Sequence, residues 1–419
     1  MQLPITTVLL CLPLFFSLHA SDFPTDPKQI EMLGLQATTA DNLPLAFVYY
    51  TKLLECNHSN SSTLYNCAYL LGKLNRNQEA IPYYQKSLAQ GSSTTTLFGL
   101  SKAQLACGNF DEAWPSFECR FPDPKIYQQT FGYTALDMQN LAGKHILIRA
   151  EWGLGDMVQF IRYVQLLKNA GAYTIVQVFD ALRPLLSRCD FIDQTISAGD
   201  AIPNNDVQIP LLSLPMLFKT NINTIPASIP YLTADPKLVA SWQQKLSHDH
   251  NLKVGLCWHA KPIYLEDNLY TRRSIPLENF LSLASLQGCS FYSLQKEFGT
   301  DELKIVTDVL PIHDFDPEFD TTNGRFMDTA AVIKNLDIII SADTSIVHVA
   351  GALGATVWVL LPYSAEWRWL PGHPDYAQGS TTPWYPNTMR LFKQKTPGDW
   401  HAVIKEVKEA LQELLNKQQ

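Results

Sequence analysis

Two glycines and a carboxylate form the first group of residues whose types and spacing suit chemistry. Gly153, Gly155 and Asp156 follow an apolar strand pattern at 145–150, and apolar residues at helical spacing come next. Glycines in such a turn leave room for a ligand beside a helix start. The aspartate either caps that helix or acts as a general base, and the pattern alone favours the cap. Because Val158 interrupts the Gly-x-Gly-x-x-Gly dinucleotide fingerprint, a hydride-transfer enzyme is disfavoured.

The segment 341–348 forms the second group. It joins a strand pattern to a helix pattern and carries Asp343 and the hydroxyls of Thr344 and Ser345. Free N–H groups and the helix dipole at such a helix start suit an anion such as a diphosphate. His348 follows one turn later and could donate to the same anion, although a packed helix histidine is the favoured interpretation when it is taken alone.

Other charged and aromatic residues give weaker indications. Arg273 and Arg272 could neutralise a diphosphate leaving group, although adjacent arginines are more often solvated surface charge. Asp314 and Asp316 lie in an acidic loop with turn residues, which favours turn chemistry over a metal site. Four aromatic residues either line a sugar site or pack a C-terminal lobe. They are Trp367, Trp369, Trp384 and Tyr385.

Strand and helix patterns alternate through the C-terminal two-thirds of the chain, and these elements must position the groups above. The strand patterns lie at 145–150, 173–178, 253–258, 336–341 and 355–361. Such alternation predicts parallel sheets in two Rossmann-like units with a cleft between them. Since ligands of such folds bind beyond the carboxyl ends of the strands, both groups are expected to face the cleft.

A repeat occupies the N-terminal third of the chain. An alanine and, four residues later, an aromatic residue recur at intervals of 34 and 33 residues. The six residues are Ala46, Tyr50, Ala80, Tyr84, Ala113 and Phe117. This period resembles the tetratricopeptide repeat, in which helix pairs stack into a solenoid that binds partners. The alternative is an unrelated helical bundle with coincidental spacing.

Composition bounds the class of protein. The chain has 419 residues, of which 46% are apolar and 17% charged, and this argues against a long disordered chain. Its length predicts about two to three domains. A net charge of −8 argues against a nucleic-acid binder that uses its whole surface. No apolar stretch inside the chain approaches the roughly 20 residues of a membrane-spanning helix.

The first 20 residues resemble a secretory signal peptide. An apolar run at 8–18 precedes the small residue Ala20, although no Lys or Arg precedes the run. A buried or membrane-touching segment is the alternative, so a periplasmic or secreted location and a cytoplasmic one both stay open. Seven cysteines follow without metal-ligand spacing, and Cys56 could pair with Cys67.

Several motifs occur in the order of one known family. They lie at 151–156, 273–277, 343–354, 367–370 and 383–386 with 390–392. Together they resemble the bacterial tetratricopeptide-repeat proteins whose C-terminal part is similar to glycosyltransferase family 9, the ADP-heptose:lipopolysaccharide heptosyltransferases. The likeness spans roughly residues 115–415. It implies the α/β GT-B fold of two Rossmann-like domains, preceded here by an all-α tetratricopeptide-repeat region.

The resemblance also implies roles for individual residues. Asp156 matches the catalytic base, and Gly153 and Gly155 belong to the same substrate-binding turn. Arg273 lies near the position of a phosphate-binding lysine, and Glu297 loosely matches a ribose partner. The donor-binding segment is matched at four positions, with a serine where the family commonly has a glycine, and the serine side chain crowds the donor. The four are Asp343, Thr344, Ser345 and His348.

Domain boundaries are expected from the same motifs. The last helix pattern, at about 399–415, is expected to pack back on the first Rossmann-like unit. The expected divisions are a signal peptide at 1–20, repeats at 27–121, a linker at 122–142, an acceptor-side domain at 143–235, a nucleotide-sugar domain at 236–398 and a C-terminal helix at 399–419.

The implied activity is that of a metal-independent, inverting glycosyltransferase of hexosyl or heptosyl type that needs no cofactor. Its donor would be a nucleotide-diphosphate sugar, and its acceptor a glycan, a lipid-linked molecule or a protein. The repeats would bind a protein partner, and no nucleic acid is expected. The alternative is a repeat-based interaction scaffold with a non-catalytic glycosyltransferase-like domain. A nucleotide-sugar epimerase is a third and weaker hypothesis.

Overall fold

The computed structural model describes residues 23–56, 60–91, 93–121, 123, 136–261, 272–377 and 379–418. The predicted signal peptide at 1–20 and most of the predicted linker lie outside the described residues. Within the described chain, a helical part comes first and an α/β part with two parallel sheets follows it.

Six helices make up the described helical part. Side chains of Asp26, Asn42 and Asn60 begin the first three helices, because each accepts a hydrogen bond from a backbone N–H of the first turn. Consecutive helices pack against one another. The bounds are α1 Pro27–Thr39, α2 Leu43–Glu55, α3 Ser61–Lys73, α4 Asn77–Gln90, α5 Thr94–Ala106 and α6 Phe110–Phe117, followed by a 3₁₀ turn at Glu118–Arg120.

The repeated residues occupy equivalent positions in this helical part. Each alanine and each aromatic residue of the repeat lies on the second helix of a pair and is buried. Gly99 on α5 lies so close to Tyr84 on α4 that a Cβ atom there would be 2.7 Å from the ring. The helical character of the region is therefore confirmed, whereas the tetratricopeptide assignment stays a prediction.

The first sheet of the α/β part has four parallel strands in the order β3-β2-β1-β4. Ile146 of β1 is paired with Thr174 on one side and Val207 on the other. The apolar stripe predicted as one helix after the glycine turn divides at Ile161 into two. The bounds are β1 His145–Arg149, α7 Leu154–Phe160, α8 Arg162–Asn169, β2 Tyr173–Gln177, α9 Arg183–Leu186, β3 Gln194–Ile196, β4 Val207–Pro210 and α10 Leu214–Leu217.

The second sheet has six parallel strands in the order β10-β9-β8-β5-β6-β7. All residues of β8 and β9 are buried, as expected for central parallel strands that are covered on both faces. The bounds are α11 Pro236–Leu246, β5 Leu252–Cys257, β6 Cys289–Ser293, α12 Leu303–Val306, β7 Ile312–His313, α13 Met327–Ile333, β8 Ile338–Ala342, α14 Ser345–Ala352, β9 Val357–Leu361, β10 Met389–Lys393 and α15 Trp400–Gln418.

The last helix, α15, corrects one expectation. Its apolar residues, including Ile404, Val407 and Leu411, pack in one cluster with Phe280 and other side chains of the second sheet's unit. The prediction that this helix packs back on the first unit is wrong. The physical reason is that a short connection after β10, an edge strand of the second sheet, brings α15 onto that sheet at once.

One large apolar cluster joins the three parts of the molecule. It includes Phe110 and Trp114 of the helical part, Ile148 of the first sheet and Val359 of the second. The parts therefore share a continuous core, which fixes their relative positions.

Two further findings concern cysteines and membranes. Cys56 and Cys67 are both free thiols, so the disulfide that their spacing allowed is not formed. Among the described residues, no helix has both the length and the hydrophobicity that crossing a bilayer requires.

Candidate functional site

A cavity of about 1540 Å³ lies where the carboxyl ends of the two sheets meet. Residues of the helical part, among them Tyr69 on α3 and Lys102 on α5, form one of its walls. The nine residues predicted from the sequence as a site all line it. They are Gly153, Gly155, Asp156, Arg273, Glu297, Asp343, Thr344, Ser345 and His348.

The starts of α7 and α14 pack against each other, and residues of both line the cavity. Gly155 on α7 approaches α14 so closely that a Cβ atom there would lie 2.9 Å from the His348 ring and 3.5 Å from Cα of Ser345. The second glycine of the turn is thus required by the close approach of the two helices. This close approach brings the glycine turn at 153–156 next to the segment 341–348, although the two are far apart in sequence.

Asp156 caps α7 and also lines the cavity. Its Oδ2 accepts a hydrogen bond from the backbone N–H of Gly153 at 3.0 Å, so the side chain does cap α7. Its Oδ1 forms an ion pair with Arg368, and the residue also lines the cavity. The carboxylate is therefore both oriented by the helix start and placed where a ligand can reach it.

Arg368 is a buried cation between two carboxylates. It lies on a 3₁₀ turn at Trp367–Trp369 that follows β9, and it pairs with Asp156 and, at 3.2 Å, with Glu366. Its guanidinium packs 4.9 Å from the ring centroid of Trp367 and 5.6 Å from that of Trp152. Two aromatic faces thus hold the charge in place at the cavity wall.

Glu366 interacts with positive charges of both the α/β part and the helical part. Burial alone raises the pKa of Glu366, but Arg368 followed by Lys102 outweighs it, and the pKa is lowered. The carboxyl group therefore stays ionised at neutral pH. Lys73, on α3, adds to the same effect.

The predicted donor-binding segment forms the start of α14. Thr344 begins the helix, and its Oγ1 accepts a hydrogen bond from the N–H of Ile346 at 3.2 Å. The backbone carbonyl of Asp343 accepts from Arg273 at 3.1 Å, and its carboxylate accepts from the Trp369 indole at 2.9 Å. Burial raises the pKa of Asp343, while Arg273 opposes the shift. The carboxylate thus holds the surrounding loops together.

His348 is packed, as the favoured sequence interpretation predicts. Its ring is buried, stacks on Trp369 at 5.7 Å, and shares a hydrogen bond of 3.0 Å between Nδ1 and the Tyr385 hydroxyl. Burial lowers the pKa of His348 well below its usual value, and Arg368 and two further arginines lower it more. The imidazole is therefore neutral at pH 7.

Glu297 and its neighbours line another part of the cavity. Glu297 has a φ of 64° and pairs with Arg325 at 2.7 Å. The carboxamide of Gln295 shapes the same loop, because it accepts hydrogen bonds from Trp258 and His259 and donates one to the carbonyl of Phe298 at 2.7 Å. Gln295 is a part of the site to which the sequence motifs gave no role.

The sequence also predicted no role for Trp152 or Arg368. Trp152 has a φ of 60°, which is rare for a bulky residue, and its side chain stays 44% exposed on the cavity wall. Both residues stand inside motifs of the family resemblance, but no pattern assigned them a role. The four aromatic residues considered for a sugar site are buried, which supports packing, although Trp367 also lines the cavity.

Asp314 and Asp316 lie in a turn, where their carboxylates accept backbone hydrogen bonds. Each carboxylate accepts a hydrogen bond from a nearby backbone N–H, at 2.9 and 3.0 Å, as turn chemistry predicts. Among the described residues, no group of three or more His, Cys, Asp or Glu side chains could hold a metal ion.

Comparisons with known proteins add a partial context. No family model matches the chain. Protein FlbA of Caulobacter vibrioides is 22% identical over 406 residues, which cover 88% of this chain and 64% of FlbA. The chain thus spans less than two thirds of that relative's length.

Solved structures resemble the α/β part. A family 9 glycosyl transferase from Veillonella parvula is 12% identical, with a TM-score of 0.45 over 64% of this chain and 90% of its own. The E. coli ADP-heptose lipopolysaccharide heptosyltransferase II is 14% identical, with a TM-score of 0.44 over 65% and 99%. At such low similarity, the function has to be inferred from the geometry of the site.

Proposed function

We propose that the chain is a glycosyltransferase of the GT-B architecture that moves a hexosyl or heptosyl group from a nucleotide-diphosphate sugar to a glycan, lipid-linked or protein acceptor. One observation carries the proposal. A single cavity brings Asp156 on its glycine turn together with the start of α14 and with Arg273. A carboxylate and an anion-binding helix start, side by side, are the two functions that transfer from a diphosphate requires.

The reaction follows from the charges that develop. Asp156 takes the proton of an acceptor hydroxyl, whose oxygen forms a bond to the anomeric carbon as the bond from that carbon to the phosphate oxygen breaks. The diphosphate leaves with the electron pair, and Arg273 and the start of α14 stabilise it. The mechanism is inverting and uses neither a metal nor a further cofactor.

The size of the cavity supports simultaneous binding of donor and acceptor. Its volume of about 1540 Å³ exceeds the roughly 300–1,000 Å³ of a pocket for one small molecule. The donor occupies the side formed by 236–398, and the acceptor occupies the side formed by 143–235. The helical region, with tetratricopeptide-like repeats at 27–121, guides the acceptor to Asp156, because Lys73 and Lys102 line the same cavity.

Assays of hydrolysis and transfer with a panel of nucleotide sugars test this function, comparing the wild type with Asp156→Asn. We expect Asp156→Asn to lower the rate by about 10²- to 10⁴-fold, the usual contribution of a general base. Asp316→Asn, the same change in an exposed turn, is the matched control and should keep full activity. Equal rates for wild type and Asp156→Asn would remove Asp156 as the base.

A second candidate is an interaction scaffold that binds partners through the helical part without catalysis. It is favoured by one observation: both oxygens of Asp156 are engaged, one by Gly153 and one by Arg368. Calorimetric titration with ADP, UDP and GDP separates the two candidates. Tight and selective binding of one nucleotide supports the transferase, whereas the scaffold predicts no binding.

A further inference from the structure

The ion pair between Arg368 and Asp156 has a mechanistic consequence, provided that the proposed transferase function holds. Oδ1 of Asp156 faces the guanidinium of Arg368, and Oδ2 accepts a hydrogen bond from the Gly153 N–H. An acceptor hydroxyl that approaches Oδ1 therefore has to compete with the guanidinium of Arg368.

Arg368 is placed to reach the donor as well. It lines the same cavity as Thr344 and Ser345 at the start of α14. Its neighbour Trp369 donates a hydrogen bond to Asp343 at 2.9 Å, which ties the turn that carries Arg368 to the donor-binding segment. Arg368 and the predicted diphosphate site therefore share one cavity and one connected set of loops.

The charges around Arg368 also favour a change of its partner when a diphosphate binds. Three carboxylates, those of Asp156, Asp343 and Glu366, lie near two arginines, Arg273 and Arg368. A diphosphate would add negative charge beside these carboxylates, and a guanidinium that pairs with the phosphates would offset it. Arg273 and Arg368 both line the cavity, so both guanidinium groups are placed to bind the phosphates.

We infer that Arg368 switches partners when the donor binds: it leaves Asp156 for the diphosphate, and Asp156 becomes free to accept the proton of the acceptor hydroxyl. Glu366 holds a second nitrogen of the guanidinium at 3.2 Å and keeps it at the cavity wall during the exchange. Arg368 is then a positioning residue toward Asp156 and a ligand of the donor. The exchange also prevents Asp156 from acting before the donor is present.

A double-mutant cycle on nucleotide affinity tests the switch without requiring turnover. Isothermal titration with ADP, UDP and GDP is performed on the wild type, Asp156→Asn, Arg368→Gln and the double variant, and the tightest nucleotide is followed. Asp156→Asn frees Arg368, so we expect about three- to tenfold tighter binding. Arg368→Gln should weaken binding about tenfold, as expected for the loss of a charged hydrogen bond.

The decisive comparison is the double variant. Removing a negative charge from the cavity could tighten binding by simple electrostatics, and that effect would persist in the Arg368→Gln background. The switch predicts that Asp156→Asn has no effect there. Arg183→Gln, at an exposed arginine that pairs with Asp200, is the control and should leave affinity unchanged.

Two results would overturn the inference while leaving the transferase proposal intact. They are an equal effect of Asp156→Asn in both backgrounds, and an Asp156→Asn variant that binds no tighter than wild type. A wild-type protein that binds none of the three nucleotides would overturn the proposed function together with the switch.

Discussion

Two buried arginines, each between two carboxylates, have different surroundings in this molecule. Arg120 pairs with Glu118 at 2.6 Å and with Glu151 at 2.9 Å, and it donates to Ser213 at 2.7 Å. Side-chain exposure in this cluster is 1% for the arginine and 2% and 9% for the carboxylates. Around Arg368, exposure is 8% for the arginine, 19% for Asp156 and 38% for Glu366.

This difference in exposure indicates that the Arg120 cluster is the structural one. The Arg120 cluster joins the end of the helical part to the turn after β1, and its groups satisfy one another. Burial alone lowers the pKa of Arg120, but Glu151 and Glu118 outweigh it and raise the pKa. The Arg368 cluster uses the same residue types on a cavity wall, where a ligand can compete for them.

The largest effect should come from Arg120→Met. It leaves Glu118 and Glu151 buried without a counter-charge, which costs about 3–5 kcal/mol of unfolding free energy. Arg368→Met should cost less, roughly 1–2 kcal/mol, because water reaches Asp156 and Glu366. Urea denaturation of both variants measures the two costs. If Arg368→Met loses more unfolding free energy than Arg120→Met, the assignment of the Arg120 cluster as the structural one is wrong.

Trp152 lies between the two clusters, next to Glu151 in sequence and over Arg368 in space. Its exposed indole is held by Phe98 and Phe117 of the helical part, at 6.3 and 5.5 Å between ring centroids. We expect Trp152→Ala to raise the acceptor KM about tenfold, or about 1.4 kcal/mol, with the donor KM unchanged, because the exposed indole lines the cavity. Tyr173→Ala, at another partly exposed aromatic residue, is the control. If Trp152→Ala instead raises only the donor KM, Trp152 contacts the donor and not the acceptor.

His348 gives the Arg368 cluster a pH-sensitive neighbour. Its pKa in the folded protein is lower than in the unfolded chain, so the unfolded state binds more protons as pH falls below about 6.5. The unfolding free energy should therefore decrease on acidification, by up to about 1.4 kcal/mol per pH unit. His348→Gln should flatten this dependence in denaturation curves between pH 5 and 7. His401→Gln, on an exposed part of α15, should keep the wild-type slope.

The smallest effect concerns Ser345, where the family resemblance expects a glycine. The serine side chain stands at the start of α14 beside the predicted diphosphate. Ser345→Gly should tighten nucleoside diphosphate binding about threefold, or roughly 0.7 kcal/mol, as measured by calorimetry. Ser345→Ala keeps the Cβ atom and should give a smaller gain. If the two variants gain equally, crowding by the Cβ atom is not the cause.

Local patterns predicted the elements well, because hydrophobic periodicity is written into short segments. The glycine turn at 153–156 and the helix start at 344–345 both lie at strand ends, as expected. The prediction for α15 was wrong because its apolar stripe fits any apolar surface, and chain connectivity decides which one.

Sequence patterns could not predict the contacts between residues that are far apart along the chain. Arg368 and Asp156 are 212 positions apart, and Arg120 and Glu151 are 31 apart, so no spacing rule links them. The capping and general-base interpretations of Asp156 looked exclusive in the sequence. In the structure one carboxylate oxygen caps α7 and the other pairs with Arg368 at the cavity, so the cap does not exclude a further role.

Hydrogen–deuterium exchange with and without a saturating nucleoside diphosphate tests the central claim most directly, that the cavity between the sheets is a nucleotide-sugar site. The account predicts slower exchange at 153–160, 343–352 and 366–369, with no change at the Arg120 cluster around 118–120. Unchanged exchange in all three cavity segments with ADP, UDP and GDP, or protection confined to the helical part, would contradict it.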